Sequence, residues 1–504
     1  MSNKKKLVTN TFVVTLCYFI QTIIGFLVRK VFIDKLGVIF LGYNAVFTNI
    51  LTLLNLSELG IGISANAFLY KSLAEDDKET TVAIFNTLHK LYKMVCVIII
   101  LIGIIIAFFI PIMISNPQHS YTQIYIYYVL VLLSTIFSYM MADRKTVVSA
   151  NQENYIVSLT DCISYATISI AQIIILLEYS NYFTFLILNI IKQFLSSLII
   201  YAYTKRKYSY LNNKNNELKE QEIKNDIKKE MKNIFVSKVG GIIFHGTDNI
   251  IISSILGTIQ AGLISNYTMI TNILQNIIAQ FFGAMQSTLG NIIHKNNSKI
   301  SESNIYIYLY YISFIMGIFA MMGIIKLLPA IIVNVFGIEL ILSQNIATIL
   351  GINCLLLTLL QVPNQIFAIH KLYRFDKVIV GISAILNIII SIILVYINGM
   401  EGVLIGTLIT LLIYLISRCC IIKKHVYNDF NYKDLVLKLG LITIVYLALF
   451  NIPILFDYKS NMLYSILINS VILTIELFVG TIICLLFDNN LKTIFNIVMK
   501  EKNK

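Results

Sequence analysis

The sequence predicts a polytopic all-α membrane protein, and three observations carry that prediction. First, fourteen apolar stretches fill the chain, near 7–28, 38–69, 94–114, 121–142, 155–177, 182–203, 234–256, 261–293, 304–328, 344–369, 378–397, 401–422, 436–456 and 462–487. A bilayer core of about 30 Å needs roughly 20 mostly apolar residues per helix, and runs this long suit helices better than the short alternating strands of a barrel. Second, 57% of the residues are hydrophobic, 13% are charged and the mean hydropathy is +0.79, far from a soluble average. Third, the basic residues fall on alternate loops.

That third observation also disposes of a nucleic-acid reading of the net charge of +13. With the N-terminus in the cytoplasm, 33 of the 39 Lys and Arg residues lie on the cytoplasmic side. Arg29, Lys30, Lys35, Lys326 and Lys459 fall outside, and Lys192 sits mid-span. This is the positive-inside bias, so both termini are expected in the cytoplasm of a multi-pass protein.

Taken in order, the first span is too long for a signal-peptide core, carries Gln21 and has no small-x-small cleavage site. Without Trp, the interfacial aromatic belt must rely mostly on Tyr, as at Tyr121, Tyr125, Tyr127 and Tyr128. The longest polar segment, 205–233, follows the sixth span. Within 217–235, Leu218, Ile223, Ile227, Met231 and Phe235 recur near i+4, which fits either an amphipathic surface helix or a solvated linker. Either way it divides the chain into an N-terminal lobe (1–204), a linker (205–233), a C-terminal lobe (234–424) and a last helical pair with its tail (425–504). An internal echo agrees: Leu36-Gly37 then Gly42 recurs as Leu256-Gly257 then Gly262, and Thr48-Asn49-Ile50-Leu51 as Thr271-Asn272-Ile273-Leu274. The seven cysteines lie in or beside apolar stretches with no CxxC and no Cys/His cluster, so neither a disulfide framework nor a metal or other cofactor is expected.

The most polar spans are the second and eighth, equivalent positions in the two halves. Asn44, Thr48, Thr52, Asn55, Glu58, Gly62 and Asn66 share about a 120° arc, as do Thr268, Thr271, Asn272, Gln275, Phe282 and Gln286. Lipid would not tolerate such stripes. They line a wet cavity between the lobes, or they hydrogen-bond across helix interfaces.

Ionisable residues inside spans are fewer. Each costs roughly 2.5–3.5 kcal/mol at mid-bilayer on insertion scales, so each is expected to face the interior. Lys192 is either a cationic site for a phosphate group or a neutralising partner of Glu58 or Asp161. Arg29 either snorkels to the interface or presents a bidentate phosphate donor. Glu58, Asp161 and Asp248 are expected to bind a coupling ion (H+ or Na+) or to form structural pairs. His245 reads as an interior histidine, and Glu476 completes the set.

Two stretches then carry a family resemblance. Residues 36–79 (LGVIFLGYNAVFTNILTLLNLSELGIGISANAFLYKSLAEDDKE) and 234–270 (IFVSKVGGIIFHGTDNIIISSILGTIQAGLISNYTMI) resemble bacterial Wzx-type polysaccharide repeat-unit flippases. These are relatives of the multidrug extruders and of the lipid II flippase. The resemblance implies two pseudo-symmetric six-helix lobes around a central cavity, plus two C-terminal helices. It also implies export of undecaprenyl-diphosphate-linked oligosaccharides to the outer leaflet by alternating access, for capsule, exopolysaccharide or O-antigen assembly. Its matching positions are Arg29, Asn44, Thr48, Asn49, Glu58 and Thr247-Asp248-Asn249.

The eighth span has no arginine, which weighs against lipid II as cargo and leaves Arg29 and Lys192 for the diphosphate. The Asn/Gln/Thr stripes would then meet neutral sugars. Expected partners are the lipid-linked substrate, the bilayer of a bacterial plasma membrane and a polysaccharide polymerase with other assembly proteins, the chain itself working as a monomer. Competing readings are a lipid II or teichoic-acid precursor flippase, and a multidrug-type cation antiporter. A membrane polymerase or ligase is disfavoured, because the external loops are short and poor in ionisable groups.

Overall fold

The computed structural model describes residues 3–54, 61–114, 117–212, 223–227, 247–294, 302–370, 372–427, 431–450, 469–476 and 478–480. Regular structure among these residues is helical throughout, with no strand. Asn55, Glu58, His245 and most of 217–235 lie outside the described residues.

The chain divides into two compact units, Met1–Gly262 and Leu263–Lys504. The first holds α1 (Asn3–Leu54), α2 (Ile61–Ala74), α3 (Lys78–Ala107), the short α4 (Ile110–Met113), α5 (Tyr121–Tyr139), α6 (Ala142–Ala150), α7 (Asn154–Tyr179), α8 (Tyr182–Lys207) and α9 (Asp248–Leu256). Helix α10 (Thr258–His294) begins there and continues into the second unit. The second unit adds α11 (Glu302–Phe336), α12 (Gln344–Leu359), α13 (Gln361–Ile369), α14 (Tyr373–His425), α15 (Tyr432–Phe450) and α16 (Asn469–Gly480).

Eight described helices are long and apolar enough to cross a membrane. Two of them, Phe12–Thr52 and Val378–His425, run to 41 and 48 residues. At 1.5 Å per residue a straight helix of either length would reach about 60–70 Å, twice the hydrocarbon thickness. A single residue breaks each: Gly37 (φ 81°, ψ 178°) in α1 and Gly399 (φ 58°, ψ −137°) in α14. The loop expected between the first two spans is thus one glycine, because only glycine takes that backbone conformation without Cβ strain.

Other ends are set by capping. Asp77, Ser120, Asn181 and Ser343 precede α3, α5, α8 and α12, and each side chain accepts a first-turn backbone N–H.

The packing is inverted relative to a soluble protein. Phe12, Ile23, Phe108, Ile112, Val378, Ile385 and Leu437 are all exposed, while Asp143, Arg144, Lys326, Asp376, Arg418 and Glu476 are buried. A helix bundle solvated by hydrocarbon presents apolar side chains outward and keeps its polar groups for one another. In the first unit α1 packs along α7, α7 along α8, and α8 against α5; in the second, α11 packs on α12, and α12 on α14. Lys326, counted from sequence with the external loops, sits inside α11, which carries on through Pro329 to Phe336.

Candidate functional site

The polar side chains of the first unit form a ladder between α7 and α8. Lys192 Nζ donates to Asn189 Oδ1 at 3.1 Å, one turn away on its own helix, and lies 5.2 Å from the centre of the Tyr165 ring on α7. Gln172 extends the ladder by donating to the same Asn189 oxygen (3.1 Å) and to the Phe185 carbonyl (3.3 Å). One turn the other way, Ser196 donates to Asp161 Oδ1 at 2.6 Å, and that oxygen also receives Lys145 Nζ at 2.6 Å.

The acid on this ladder is therefore paired with Lys145, and Lys192 is held by an amide and a ring face. No carboxylate among the described residues makes an ion pair with Lys192. Of the two readings of Lys192, a pair with Asp161 is not formed, and Glu58 lies outside the described residues.

Arg29 sits on α1 at a similar depth. The Gly37 end of α1 and the start of α8 meet through Phe40 on Tyr182 (ring centres 4.9 Å apart) and Phe32 on Phe185 (5.0 Å). Counting helix rise from that end places Arg29 about 12 Å deep and Lys192 about 15 Å deep. Both are half-buried.

The stripe residues behave differently from one another. Asn44 is half-buried and Thr48 exposed, and Thr48 Oγ1 returns its proton to the Asn44 carbonyl at 2.7 Å. Asn66 is half-buried, with a buried Oδ1 that accepts no hydrogen bond among the described residues. On α10, Asn272 is exposed and Thr268 half-buried. Gln275 is committed to α12, donating to the Cys354 carbonyl at 2.9 Å. Gln286 lies on α10, and Asp248 opens α9, where a carboxylate favours the helix N-terminus.

Sequence reasoning missed the buried charge networks. In the second unit Lys326 meets both oxygens of Glu476 at 2.9 and 2.7 Å. Arg418 donates to both oxygens of Asp376 (2.9 and 2.5 Å) and to Asn364, its guanidinium lying against the rings of Phe367 and Tyr414. In the first unit Arg144 lies between Phe85 and Tyr201 and donates to Thr204 at 3.0 Å.

Glu153, between α6 and α7, accepts from Tyr203 (2.8 Å), Tyr208 (2.9 Å) and Lys207. Burial alone would raise its carboxyl, but those hydrogen bonds outweigh burial and hold it below the ordinary value. A usable signal existed in Asp143-Arg144-Lys145, three consecutive charges in a connection too short to leave them all in water.

Residues 7–286 match the model of the family described as polysaccharide biosynthesis protein. That is more than half of the chain, and the chain belongs to this family. No curated protein matches its sequence. Among solved structures, the lipid II flippase MurJ in an inward closed conformation is similar with a TM-score of 0.66 at 18% identity, covering 94% of this chain and 99% of that one. An inward-facing multidrug resistance transporter of the MATE family, in the MOP superfamily, gives 0.59 at 12% identity over 83% and 98%. A MOP superfamily transporter from Pyrococcus furiosus gives 0.55 at 14% over 84% and 96%. The fold is that of the MOP superfamily transporters, as the sequence resemblance implied.

Proposed function

We propose that this member of the polysaccharide biosynthesis protein family is a flippase for undecaprenyl-diphosphate-linked oligosaccharide repeat units. It would carry them from the cytoplasmic to the outer leaflet of a bacterial plasma membrane by alternating access, with both termini in the cytoplasm. The observation that carries this reading is Lys192: a cation deep in the first unit, held by neutral partners and thus available to an anion, at about the depth of Arg29.

A diphosphate needs such donors, because charge-assisted hydrogen bonds are roughly twice as strong as neutral ones and an unpaired phosphate in hydrocarbon is prohibitive. Thr48, Asn44 and Asn66 in the first unit, and Asn272 and Thr268 in the second, each offer the mixed donors and acceptors that neutral sugar hydroxyls require. The prenyl tail stays in lipid. No covalent step is needed, so the protein acts as a transporter and not as an enzyme.

A multidrug exporter is the less favoured reading. The lipid II flippase fold spans 94% of the chain, whereas the MATE-type exporter spans 83%. Lipid II and teichoic-acid precursors remain competing cargoes, and the coupling ion is left open between H+ and Na+.

Deletion followed by lipid analysis tests the proposal. A lipid-linked oligosaccharide should accumulate on the cytoplasmic face and clear when the wild-type chain is restored. Unchanged carrier pools with altered drug resistance would instead identify an exporter.

A further inference from the structure

The repeated Leu-Gly motif builds a contact that transport of the kind proposed above leaves unexplained. Gly37 and Gly257 each end one helix and begin the next with nearly the same backbone, φ 81° and ψ 178° against φ 95° and ψ 163°. The new helices therefore start in the same way, with Val38-Ile39 in one and Thr258-Ile259 in the other.

Four residues after Val38 comes Gly42, and four after Thr258 comes Gly262. A Cβ placed on Gly42 would collide with the carbonyl oxygen of Thr258, and one placed on Gly262 would lie 2.6 Å from the carbonyl oxygen of Val38 and 3.0 Å from the Gly42 nitrogen. Each helix thus sets its first carbonyl against the glycine of the other, the reciprocity that a local two-fold axis produces. All four residues belong to the first unit, while α10 runs on past Gly262 into the second.

We propose that this crossing of the first turns of the two post-glycine helices is a fulcrum that stays in contact while the helices swing about it. The proposal rests on the alternating-access reading. The physical basis is that a backbone carbonyl lies nearest each glycine, with no side chain longer than those of Thr258 and Val38 beside it. Backbone Cα–H···O contacts are individually weak, so one helix can rotate over the other with little loss. Gly317, by contrast, receives the side chain of Leu355 and Gly103 that of Leu132, and such interlocked packing resists rotation. Gly42 and Gly262 also explain why the echo persists where the surrounding residues differ: a methyl group at either point forces the helices apart.

Spin-label distances in the full-length chain test this, after replacement of its seven cysteines. One double variant, Ile39→Cys with Ile259→Cys, reports the crossing. A second, Leu51→Cys with Gln280→Cys, reports positions far along the same two helices. Both are measured in phospholipid vesicles with and without undecaprenyl diphosphate. The expected result is one unchanged distance at the crossing, and two populations at the far ends whose ratio shifts with the added lipid.

A crossing distance that lengthens as the far ends move would make this contact a gate and overturn the fulcrum. Far ends that give one fixed distance in both conditions would sink the alternating-access reading itself, and the fulcrum with it. Gly42→Ala in the second background should collapse the two far-end populations to one while the protein still reaches the membrane. Two populations unchanged by Gly42→Ala would show that the close approach is not needed, and the proposal would be wrong.

Discussion

The closed ion pairs of the second unit and the α7–α8 ladder of the first treat charge in opposite ways. In the second, Lys326–Glu476 and Arg418–Asp376 are closed pairs: each carboxylate has both oxygens satisfied, and all four side chains are at most 5% exposed. In the first, Lys145–Asp161 is an open pair with side chains 23% and 43% exposed, and Lys192 rests on Asn189 and Tyr165. A closed pair has cancelled its own charge and has nothing to offer a ligand, whereas a cation on neutral partners retains its attraction for an anion. On the proposed function, the contrast separates charges that hold helices together from one that would meet the cargo.

Four experiments would break or sharpen that contrast. The largest effect is expected at the closed pairs. Glu476→Gln leaves Lys326 buried and unpaired and should cost about 3–5 kcal/mol, read as a lowered unfolding midpoint in detergent. Lys326→Met combined with Glu476→Leu should recover most of it, because an apolar pair incurs no desolvation penalty. A single variant as stable as wild type would remove the distinction between the units.

Next is Lys192→Ala, which should leave the midpoint nearly unchanged and weaken flipping. Loss of one charged hydrogen bond to phosphate, about 1.5–3 kcal/mol, predicts a roughly tenfold to hundredfold drop, and Lys192→Arg should restore part of it. Loss of the folded protein in place of transport would put Lys192 with the structural charges.

A smaller, pH-dependent effect is expected at Glu153. Its folded-state carboxyl titrates below the reference value of 4.5, so its stabilisation is complete above that pH and fades as pH falls through the lower folded value. Glu153→Gln should therefore flatten the acid limb of the stability curve below about pH 4.5. A limb identical to wild type would mean that Tyr203, Tyr208 and Lys207 stabilise the neutral acid equally well.

The smallest effect belongs to Asp161→Asn. Its pair is exposed enough to be worth about 0–1 kcal/mol, and salt should reduce even that. A loss of several kcal/mol would show that the α7–α8 ladder is closed in the membrane.

Lys192 was legible in sequence because one cation in an apolar run stands out at any threshold. Its partners were not, since Asn189 looks like any helix asparagine and Tyr165 comes from the neighbouring helix. Asp161 is legible as an ionisable residue, while its partner Lys145 reads as one more loop cation in the charge pattern that sets the topology. Arg418 was hidden in the same way among cytoplasmic cations. The glycine echo was visible as a repeat, but the meeting of Gly42 with Thr258 and of Gly262 with Val38 had no sequence signal.

The sequence by itself determined the helical class, the membrane setting and the family. Hydrocarbon imposes length, apolarity and internal hydrogen bonding on each segment separately, so those properties are local. Only the tertiary structure decided which charges are cancelled. Lys326 and Glu476 are 150 residues apart, and whether a buried ion costs or contributes depends wholly on what another helix brings within 3 Å of it.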